Sequence, residues 1–548
     1  MSAGTEVTDA VVIGAGHNGL VAANLLADAG WDVLVLEATG QPGGAVRSAE
    51  VTAPGYLSDL FSAFYPLAAA SPVISALRLG RYGLAWRHAP DVLGHLLPDG
   101  RAVVMSRDAE RTAASVEAFA DGDGRRWLAA YAEWLRVSPG LVEGLFTPFP
   151  PVRSGVSLVR QVRLSGALRL ARRFLLPVWV LGDELFRGEG ARLLLAGCAQ
   201  HTDLAPVDAG SGVYGWLMAM LGQQYGFPVP AGGAGRLTDA LVARLYARGG
   251  RVVCGARVAR IRVRHGRAVG VDTVDGRRVA ARRAVLADVP APVLYRDLVG
   301  PDHLPARLME DLEHFRWDVA TVKVDWALAG PVPWRNEAMR NAGTLHLAAD
   351  MNGLVRYSSA LTTGEIPPDP FMVAGQLTTT DPIRSPPGTE SLWAYTHLPW
   401  RPDWAADEVA AAVDRMEAVF EEHAPGFRGL VRGRRVAGPK ELEAENPSLV
   451  GGAVGAGTSA IFQQLFLRPV AGLGRPDTPI DRLYLSSASA YPGGGVHGGP
   501  GANAAHAALA RARRLTGRLY AAAIAAAQHK LYSDGRRTAA NEGERLDR

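Results

Sequence analysis

The hydrophobic residues at the start of the chain first form a short uninterrupted run and then recur at helical spacing. Residues 9–13 read Asp-Ala-Val-Val-Ile, a buried-strand pattern that runs through a glycine-rich turn into an apolar helix. A second apolar run, residues 31–36, follows the helix and ends at Glu37. A strand, a tight turn, a helix and a second strand in this order predict the β-α-β unit of a parallel sheet.

The turn of this unit carries three glycines with the spacing of a dinucleotide-binding loop. Gly14 permits the tight turn, Gly16 lets the backbone approach a diphosphate, and Gly19 lets the helix pack closely on the strand. The helix N-terminus would face the phosphates, and Glu37 would bind a ribose hydroxyl. The pattern therefore predicts a nucleotide cofactor, and the alternative is a strand-turn-helix unit that binds none.

A second glycine turn follows Glu37. Gly43 and Gly44 can bring further backbone donors to a diphosphate, with Arg47 as a nearby cation. This turn resembles the paired-glycine motif of flavoproteins of the two-dinucleotide-binding type, and the resemblance implies FAD. The alternative for Arg47 is an ordinary surface arginine.

Similar patterns return in two later parts of the chain. Residues 237–248 are spaced as an amphipathic helix, the region of Val258 alternates as a strand, and residues 270–279 form a hairpin pattern around an Asp-Gly turn. Residues 481–487 predict another strand, and the glycine-rich segment 491–498 opens an alanine-rich helix. A helix start of this kind suits the anionic end of a reduced flavin, although close helix packing also requires glycines.

Composition excludes several classes of protein. The 548 residues are 48% hydrophobic and 20% charged, as expected of a globular enzyme of more than one domain. The net charge is only +4, and no basic run is interleaved with aromatic residues, so we expect no nucleic-acid partner. Cys198 and Cys254 form no CxxC pair, and the histidines lack metal-ligand spacing. We therefore expect neither dithiol chemistry nor a bound metal. The chain shows no signal-peptide pattern, so we expect a cytoplasmic location.

Three further segments carry a resemblance to a known family. Residues 446–452, 463–469 and 491–498 read Asn-Pro-Ser-Leu-Val-Gly-Gly, Gln-Gln-Leu-Phe-Leu-Arg-Pro and Tyr-Pro-Gly-Gly-Gly-Val-His-Gly. They resemble the signature of the phytoene-desaturase-like flavoproteins, in particular the branch of pyridine nucleotide-disulphide oxidoreductase domain-containing proteins. Two positions depart from the family pattern. One is the serine pair before the last segment, and the other is Tyr491, at a position where the family often has histidine.

The resemblance implies an α/β fold with a Rossmann-like FAD domain of the two-dinucleotide-binding type and a mixed α+β substrate domain inserted in two segments. The FAD domain would comprise residues 1–70, 228–300 and 470–530, and the substrate domain residues 71–227 and 301–469, followed by a disordered tail at 531–548. The residues expected to contact FAD are Gly14, Gly16, His17, Asn18, Gly19, Glu37, Ala38, Gly43, Gly44, Ala45, Arg47, Val258, Ser487, Gly494, Gly495, Val496 and His497.

Catalytic side chains are harder to predict, because a flavin itself performs the difficult step of accepting a hydride. By their position relative to the cofactor motifs, the candidates for proton transfer are Tyr491, His201, Asp59 and Arg468, with ordinary packing as the alternative for each. Lys323 resembles the lysine near flavin N5 in amine oxidases, although a strand lysine is usually solvated.

We expect a FAD-dependent dehydrogenase or desaturase that acts on an apolar, extended molecule such as a polyene, terpenoid or acyl chain. A flavin amine oxidase and a flavin-binding regulatory protein with little turnover are the alternatives. No second dinucleotide fingerprint is complete, so we expect oxygen or a quinone as the electron acceptor. The sequence leaves the oligomeric state open.

The segment from Val152 to Phe186 combines apolar residues with Arg153, Arg160, Arg163, Arg169, Arg172 and Arg173. This mixture fits a peripheral contact with the inner face of a membrane, and a helix that covers the substrate pocket is the alternative. Pro177 predicts a break between the basic stretch and the apolar residues that follow it.

Overall fold

The computed structural model describes residues 5–532, except for the side chains of residues 157, 158 and 161–164. The strands of this part are β1 (Glu6–Ile13), β2 (Val33–Leu36), β3 (Ser48–Glu50), β4 (Leu57–Asp59), β5 (Trp86–Arg87), β6 (Asp91–Leu96), β7 (Ala102–Met105), β8 (Val229–Pro230), β9 (Arg251–Val253), β10 (Val258–Arg264), β11 (Arg267–Thr273), β12 (Arg278–Ala287), β13 (Ala320–Leu328), β14 (Ala342–Leu347), β15 (Met372–Gln376), β16 (Glu390–Leu398), β17 (Val431–Ala437) and β18 (Leu483–Leu485).

The α-helices of the same part are α1 (His17–Asp28), α2 (Pro66–Ala70), α3 (Pro72–Ala76), α4 (Ala109–Glu117), α5 (Asp123–Leu145), α6 (Val152–Leu175), α7 (Val178–Leu185), α8 (Glu189–Ala199), α9 (Ser211–Tyr225), α10 (Gly235–Ala247), α11 (Ala306–Glu313), α12 (Met351–Thr363), α13 (Leu377–Thr380), α14 (Ala406–His423), α15 (Phe427–Leu430), α16 (Pro439–Glu445), α17 (Gly499–Ala512) and α18 (Gly517–Tyr532). Among the described residues, no helix combines the length and the apolar character needed to cross a membrane.

The first large sheet contains the predicted β-α-β unit. Among the described residues its strand order is β10-β11-β12-β1-β2-β9, and β18 pairs with the end of β12. The pairs β12–β1, β1–β2, β2–β9 and β12–β18 are parallel. The hairpin β10–β11 is antiparallel, and its strand β11 pairs with β12 in antiparallel fashion. Helices α1, α10 and α17 bury one face of this sheet. The carboxyl ends of its parallel strands therefore meet at one edge, where a doubly wound sheet binds its ligand.

The second large sheet is mixed, with the order β17-β13-β16-β15-β14-β6-β7. Its outer face is a continuous apolar core under α14. Its inner face lies under α8 and α9 and carries polar side chains among the apolar ones. This inner face carries aligned side chains, because Lys323, Tyr395, Val373, His346 and His95 pair in register across five strands.

The predicted Rossmann-like FAD-domain fold with a mixed second region is confirmed. Several local expectations are also confirmed: α10 coincides with the predicted amphipathic helix, and β11 and β12 form the Asp-Gly hairpin. Pro177 separates α6 from α7. Helix α18 extends to Tyr532, which is buried, so the first two residues of the predicted disordered tail are helical. The rest of that tail, residues 533–548, lies outside the described residues.

A fully buried ion pair ties the two regions together. Asp59 at the end of β4 lies 2.7 Å from Arg384, and neither side chain is exposed. The same carboxylate accepts hydrogen bonds from the Ser48 hydroxyl and from the backbone N–H of Ala234 before α10. Asp59 thus joins a hairpin, a helix start and the loop before β16, which is a structural role that its position in the sequence did not reveal.

We expect the substitution Arg384→Met to lower the free energy of unfolding by about 3–5 kcal/mol, because it leaves a buried carboxylate without its cation. A guanidinium titration measures this change. The control is Glu337→Gln, which breaks an exposed pair with Arg340 and should cost no more than about 1 kcal/mol. Equal losses in the two variants would contradict the structural role of Asp59.

Candidate functional site

Three glycine segments that are far apart in sequence meet at the carboxyl edge of the first sheet. Gly16 and Gly43 form an isolated parallel bridge, and the N–H of Gly43 donates to the carbonyl of Ala15 at 2.9 Å. The His17 ring lies 3.2 Å from the carbonyl of Gly495, which brings the third segment to the start of α1. The turns at residues 14–19, 43–44 and 494–498 therefore surround one groove.

The first turn requires glycine because a side chain there would collide with neighbouring atoms. A Cβ at Gly19 would lie 2.2 Å from the carbonyl oxygen of Gly14, and a Cβ at Gly16 would lie 2.6 Å from a carboxylate oxygen of Asp288. Gly14 itself has φ of +91°, which favours glycine. The close approach leaves the N-terminus of α1 open to the groove, where the helix dipole and free N–H groups favour a phosphate.

Glu37 lies at the end of β2 on the same edge. One carboxylate oxygen accepts from the N–H of Ala15 at 2.8 Å and the other from the N–H of Thr39 at 2.8 Å. These bonds fix the carboxylate beside the first glycine turn, in the position expected for a ribose contact. Val258 begins β10 close by, because the N–H of Ala256 donates to the carbonyl of Glu37.

A second carboxylate, that of Asp288, lies at the start of α1. It follows β12 and accepts from the N–H of Gly19 at 2.8 Å. Burial raises its pKa to about 7, and the charge of Glu37 contributes to this rise. The role of Asp288 was not predictable from the sequence, since a single acid after a strand carries no recognisable pattern.

Two histidines hold the third glycine segment. The N–H of Gly499 donates to Nδ1 of His497 at 3.1 Å, so Nε2 carries the proton and donates to the carbonyl of Gly494 at 3.3 Å. Burial lowers the pKa of His497 to about 4 and that of His17 to about 3. Both rings are therefore neutral and act by fixing the backbone of the groove.

Unpartnered polar atoms line the same region. In the described structure, the side-chain carbonyls of Asn18 and Asn503 and the hydroxyl of Ser486 are buried without a hydrogen-bond partner. Buried polar atoms nearly always have a partner, so this cluster indicates groups that bind a ligand. Asn18 begins α1 and Asn503 lies in α17, whose Gly501 makes room for the Asn18 backbone.

Comparison with known proteins gives the family. The sequence profile described as "Flavin containing amine oxidoreductase" matches residues 19–499. The chain belongs to this family. The groove fits FAD, the cofactor of such proteins, on the evidence of the glycine cradle, the placed Glu37 carboxylate and the unpartnered amides. The cofactor predicted from the sequence is therefore confirmed.

Relatives of known name cover nearly the whole chain. The mouse pyridine nucleotide-disulfide oxidoreductase domain-containing protein 2 is 27% identical over 91% of this chain and 92% of its own length. A component of the limonene dehydrogenase of Castellaniella defragrans is 25% identical over 91% and 93%. The neurosporene-forming phytoene desaturase of Rhodobacter capsulatus is 24% identical over 90% and 93%. The resemblance to phytoene-desaturase-like flavoproteins is confirmed.

A solved structure supports the fold. An oxidoreductase from Methanosarcina mazei superimposes with a TM-score of 0.59 at 16% identity, and the match covers 91% of this chain and 99% of that one. At this identity the likeness concerns the fold alone.

The remaining predicted flavin contacts lie around the groove. Ala38, Gly44, Ala45, Gly494, Gly495 and Val496 belong to the segments that surround it. Arg47 is buried, and its guanidinium donates to the carbonyls of Gly44 and Glu445. The surface alternative for Arg47 is wrong, although its contact with a diphosphate stays a prediction. The Ser487 hydroxyl accepts from the N–H of Ser489, so its flavin contact also stays a prediction.

Arg468 is buried and binds backbone carbonyls. Its guanidinium donates to the carbonyls of Gly455, Gly457, Thr458 and Ala488. The carboxylate of Asp318 accepts from three N–H groups of the same loop, those of Val454, Gly455 and Gly457. An arginine and an aspartate thus hold the two sides of one glycine loop, and a role of Arg468 in proton transfer stays a prediction.

Tyr491 and Lys323 are also engaged in contacts within the protein. The Tyr491 hydroxyl donates to the carbonyl of Gly144 in α5 at 3.0 Å, and burial raises its pKa. Lys323 is buried on the inner face of the second sheet, where its ammonium pairs with Asp325. The solvated alternative for Lys323 is therefore wrong.

The Nε2 atom of His201, the remaining candidate, lies 2.9 Å from Nε2 of His346. His201, Tyr214 and Tyr395 keep accessible surface, yet burial strongly shifts the pKa of each, lowering that of His201 to about 4 and raising that of Tyr214 to about 12. Tyr395 lies on β16, Tyr214 on α9 and His201 just after α8, and a role of His201 in proton transfer stays a prediction.

We expect Gly19→Ala to weaken FAD binding at least about tenfold, because the added Cβ cannot fit against Gly14 without moving the helix start. The amount of flavin released on denaturation measures the effect. Gly40→Ala is the matched control, since a Cβ there meets nothing within 4 Å. A Gly19→Ala protein with full flavin content would show that the turn is not the cofactor site.

We also expect FAD affinity to fall as the pH rises above about 7, the pKa of Asp288. This pKa is raised above its ordinary value, so the favourable protonated form is lost as the pH rises through it, and an ionised Asp288 would face both Glu37 and a diphosphate. Titration by flavin fluorescence from about pH 6 to 9 measures the slope. Asp288→Asn should flatten it, whereas equal slopes in both proteins would exclude Asp288 as its source.

Proposed function

We propose that this flavoprotein is a dehydrogenase that takes a hydride from a C–H bond of an apolar, extended substrate such as a polyene, terpenoid or acyl chain. Two relatives reported above are named for limonene and phytoene, both hydrocarbons. The observation that carries the proposal is a line of aromatic side chains that leads from the protein surface to the third glycine segment of the groove.

The aromatic line begins at Phe462 and Phe466, which are 62% and 53% exposed. Phe466 lies 5.9 Å from the ring of Phe149, and Phe149 lies 5.8 Å from that of Tyr491, the residue at the start of the third glycine segment. On the other side of this segment, Phe146 packs against His497. Such a route favours an apolar molecule, since a charged one would lose its hydration without gaining partners.

The outer end of this line is part of a wider apolar rim. A Cβ at Gly210 would lie within 4 Å of both the Phe174 backbone at the end of α6 and the Ile461 side chain, so helix and loop are adjacent. Phe174, Leu175, Val152 and Val156 of α6 are exposed. We call these residues, with Ile461, Phe462, Leu465 and Phe466, the apolar rim.

The charge of α6 favours a lipid surface as the partner of the apolar rim. The helix has six arginines and no acidic residue. Arg172 and Arg173 pair with Glu184 and Glu133, while Arg153, Arg160 and Arg169 are exposed and enter none of the ion pairs of the described residues. The side chain of Arg163 lies outside that description. Exposed apolar residues flanked by arginines bind anionic membranes, which would deliver an apolar substrate directly.

Bound FAD would supply the hydride acceptor, its N5 atom. The protein's own residues would hold the substrate beside the groove and remove one proton. Oxygen or a quinone would then reoxidise the cofactor. An amine oxidase is the second candidate, favoured by the family name and the buried Lys323, but the ammonium of Lys323 is neutralised by Asp325.

The first measurement is anaerobic reduction of the purified flavoprotein, followed by its visible spectrum. The panel comprises a C40 polyene in detergent, a monoterpene, an acyl thioester and a diamine. We expect a hydrocarbon to bleach the flavin at least about tenfold faster than the diamine, because an apolar route disfavours a cation by more than about 1.4 kcal/mol. Faster bleaching by the diamine would overturn the proposal in favour of an amine oxidase.

The apolar rim is tested by co-sedimentation with vesicles of phosphatidylcholine with and without phosphatidylglycerol. We expect Phe462→Ser/Phe466→Ser to weaken binding at least about tenfold, since two exposed apolar side chains are removed. Arg153→Gln/Arg160→Gln should weaken binding to the anionic vesicles alone. Val274→Ser, an equally exposed site in the β11–β12 turn, is the control. If that variant loses binding equally, the apolar rim is not the contact.

A further inference from the structure

The segment after α16 reaches the cofactor groove from the side of the second large sheet. Asn446 directly follows this helix and is the first residue of the segment Asn-Pro-Ser-Leu-Val-Gly-Gly. A Cβ on Gly44 would lie 3.1 Å from Cα of Gly16 and 4.0 Å from Nδ2 of Asn446. The side-chain amide of Asn446 therefore lies beside the point where the first and second glycine turns meet.

The orientation of this amide is fixed by a backbone donor. The N–H of Ser448 donates to Oδ1 of Asn446 at 3.2 Å. Because an N–H group can only donate, the atom it contacts is the amide oxygen, and Nδ2 is the atom near Gly44. Asn446 is 7% exposed, and its Nδ2 has no acceptor among the described residues. A nearly buried donor without a partner indicates that a ligand accepts its hydrogen bond.

The position of Nδ2 indicates which part of FAD accepts this bond. Gly16 is the glycine at which the backbone of a dinucleotide-binding turn approaches the diphosphate. Glu37 and Asp288 hold two carboxylates beside the same turn. A diphosphate placed there needs donors, and a neutral amide supplies one at a fixed position.

The residue before Asn446 is bound to the second glycine turn. The guanidinium of Arg47 donates to the carbonyl of Glu445 at 2.8 Å and to that of Gly44 at 3.0 Å. Glu445 is the last residue of α16. Arg47 thus joins the end of this helix to the turn that Asn446 approaches.

The same helix end is also tied to the second large sheet. Arg435 on β17 pairs with the carboxylate of Glu445 and lies 3.4 Å from that of Asp325 on β13. Asp325 is fully buried and pairs with Lys323 as well. These ion pairs run without a gap from the sheet to Glu445, and they hold α16 at the groove.

We propose that Asn446 is a residue of the cofactor site whose Nδ2 donates a hydrogen bond to the diphosphate of FAD, and that Arg435 is a positioning residue that acts through Glu445. The segment 446–452 then belongs to the FAD site, although it lies outside the three parts of the chain that form the glycine segments. The inference rests on the cofactor and not on the proposed substrate, so a failure of the proposed function would leave it unchanged.

The first test compares affinities for FAD. Asn446→Asp keeps the oxygen that accepts from Ser448 and replaces the donor by a second oxygen. We expect it to weaken FAD binding at least about tenfold, because a hydrogen bond to a charged group is lost and a carboxylate then faces the diphosphate. Quenching of flavin fluorescence, measured as FAD is titrated with the full-length protein freed of cofactor, gives Kd.

The control makes the same chemical change elsewhere. Asn352→Asp replaces an exposed asparagine on α12 and should leave Kd unchanged. Thermal unfolding without FAD checks that each variant folds, and Asn446→Ser, which keeps an oxygen near Ser448, replaces Asn446→Asp if the latter does not fold. Wild-type affinity in a folded Asn446 variant would overturn the inference.

The second test observes the diphosphate itself. In the protein saturated with FAD, ³¹P NMR resolves the two phosphorus atoms of the bound cofactor. We expect Asn446→Ser to shift at least one of the two signals, since its side chain is too short to reach the diphosphate, whereas Asn352→Ser leaves both in place. Two unshifted signals in Asn446→Ser would overturn the diphosphate contact, even if FAD binds more weakly.

A double-mutant cycle tests the positioning role of Arg435. We expect Arg435→Gln to weaken FAD binding about 3–10-fold in the wild type but less than about twofold in Asn446→Ser, because Arg435 acts through Asn446. Arg432→Gln, an exposed site on the same strand, is the control and should have no effect in either protein. Equal factors for Arg435→Gln in both proteins would show that Arg435 does not position Asn446.

Discussion

The close approach of two backbone segments at the start of α1 is the constraint on which the rest of the structure depends. Because the helix lies against the Gly14 carbonyl with no room for a side chain at Gly19, its free N–H groups reach the groove. The second and third glycine segments then attach to this start through Gly43 and His17. A flavin site thus forms from three distant parts of the chain by backbone contact, which explains why so few charged side chains take part.

The charges near this site are held by the protein itself. Arg468 binds backbone carbonyls, Asp318 binds backbone N–H groups, and Asp59 pairs with Arg384 without exposure to water. Each arrangement compensates a buried charge with fixed partners, as burial requires. The loops that flank the groove are therefore fixed by internal contacts. Within the described part of the chain, the side-chain oxygens of Asn18, Asn503 and Ser486 are among the buried polar atoms that have no such partner.

The proposed reaction needs an apolar approach to the groove and a base that takes a proton. An aromatic line from the apolar rim would admit an apolar substrate. A hydrocarbon gives up a hydride easily only if a base takes the second hydrogen as a proton. His201 stays a predicted base, and burial lowers its pKa to about 4.

The sequence by itself determined the family, the cofactor and the nucleotide-binding edge, because the residues of a glycine-rich strand-turn-helix unit are neighbours along the chain and each glycine has a local backbone reason. Even the break at Pro177 and the Asp-Gly hairpin are local in this sense. The sequence could not determine that Asp59 and Lys323 are buried in ion pairs, or that Asp288 lies at the start of α1. Only the tertiary structure decided these, and it alone aligned His201, His346 and His95, since strand register and helix packing join residues that lie far apart in the chain.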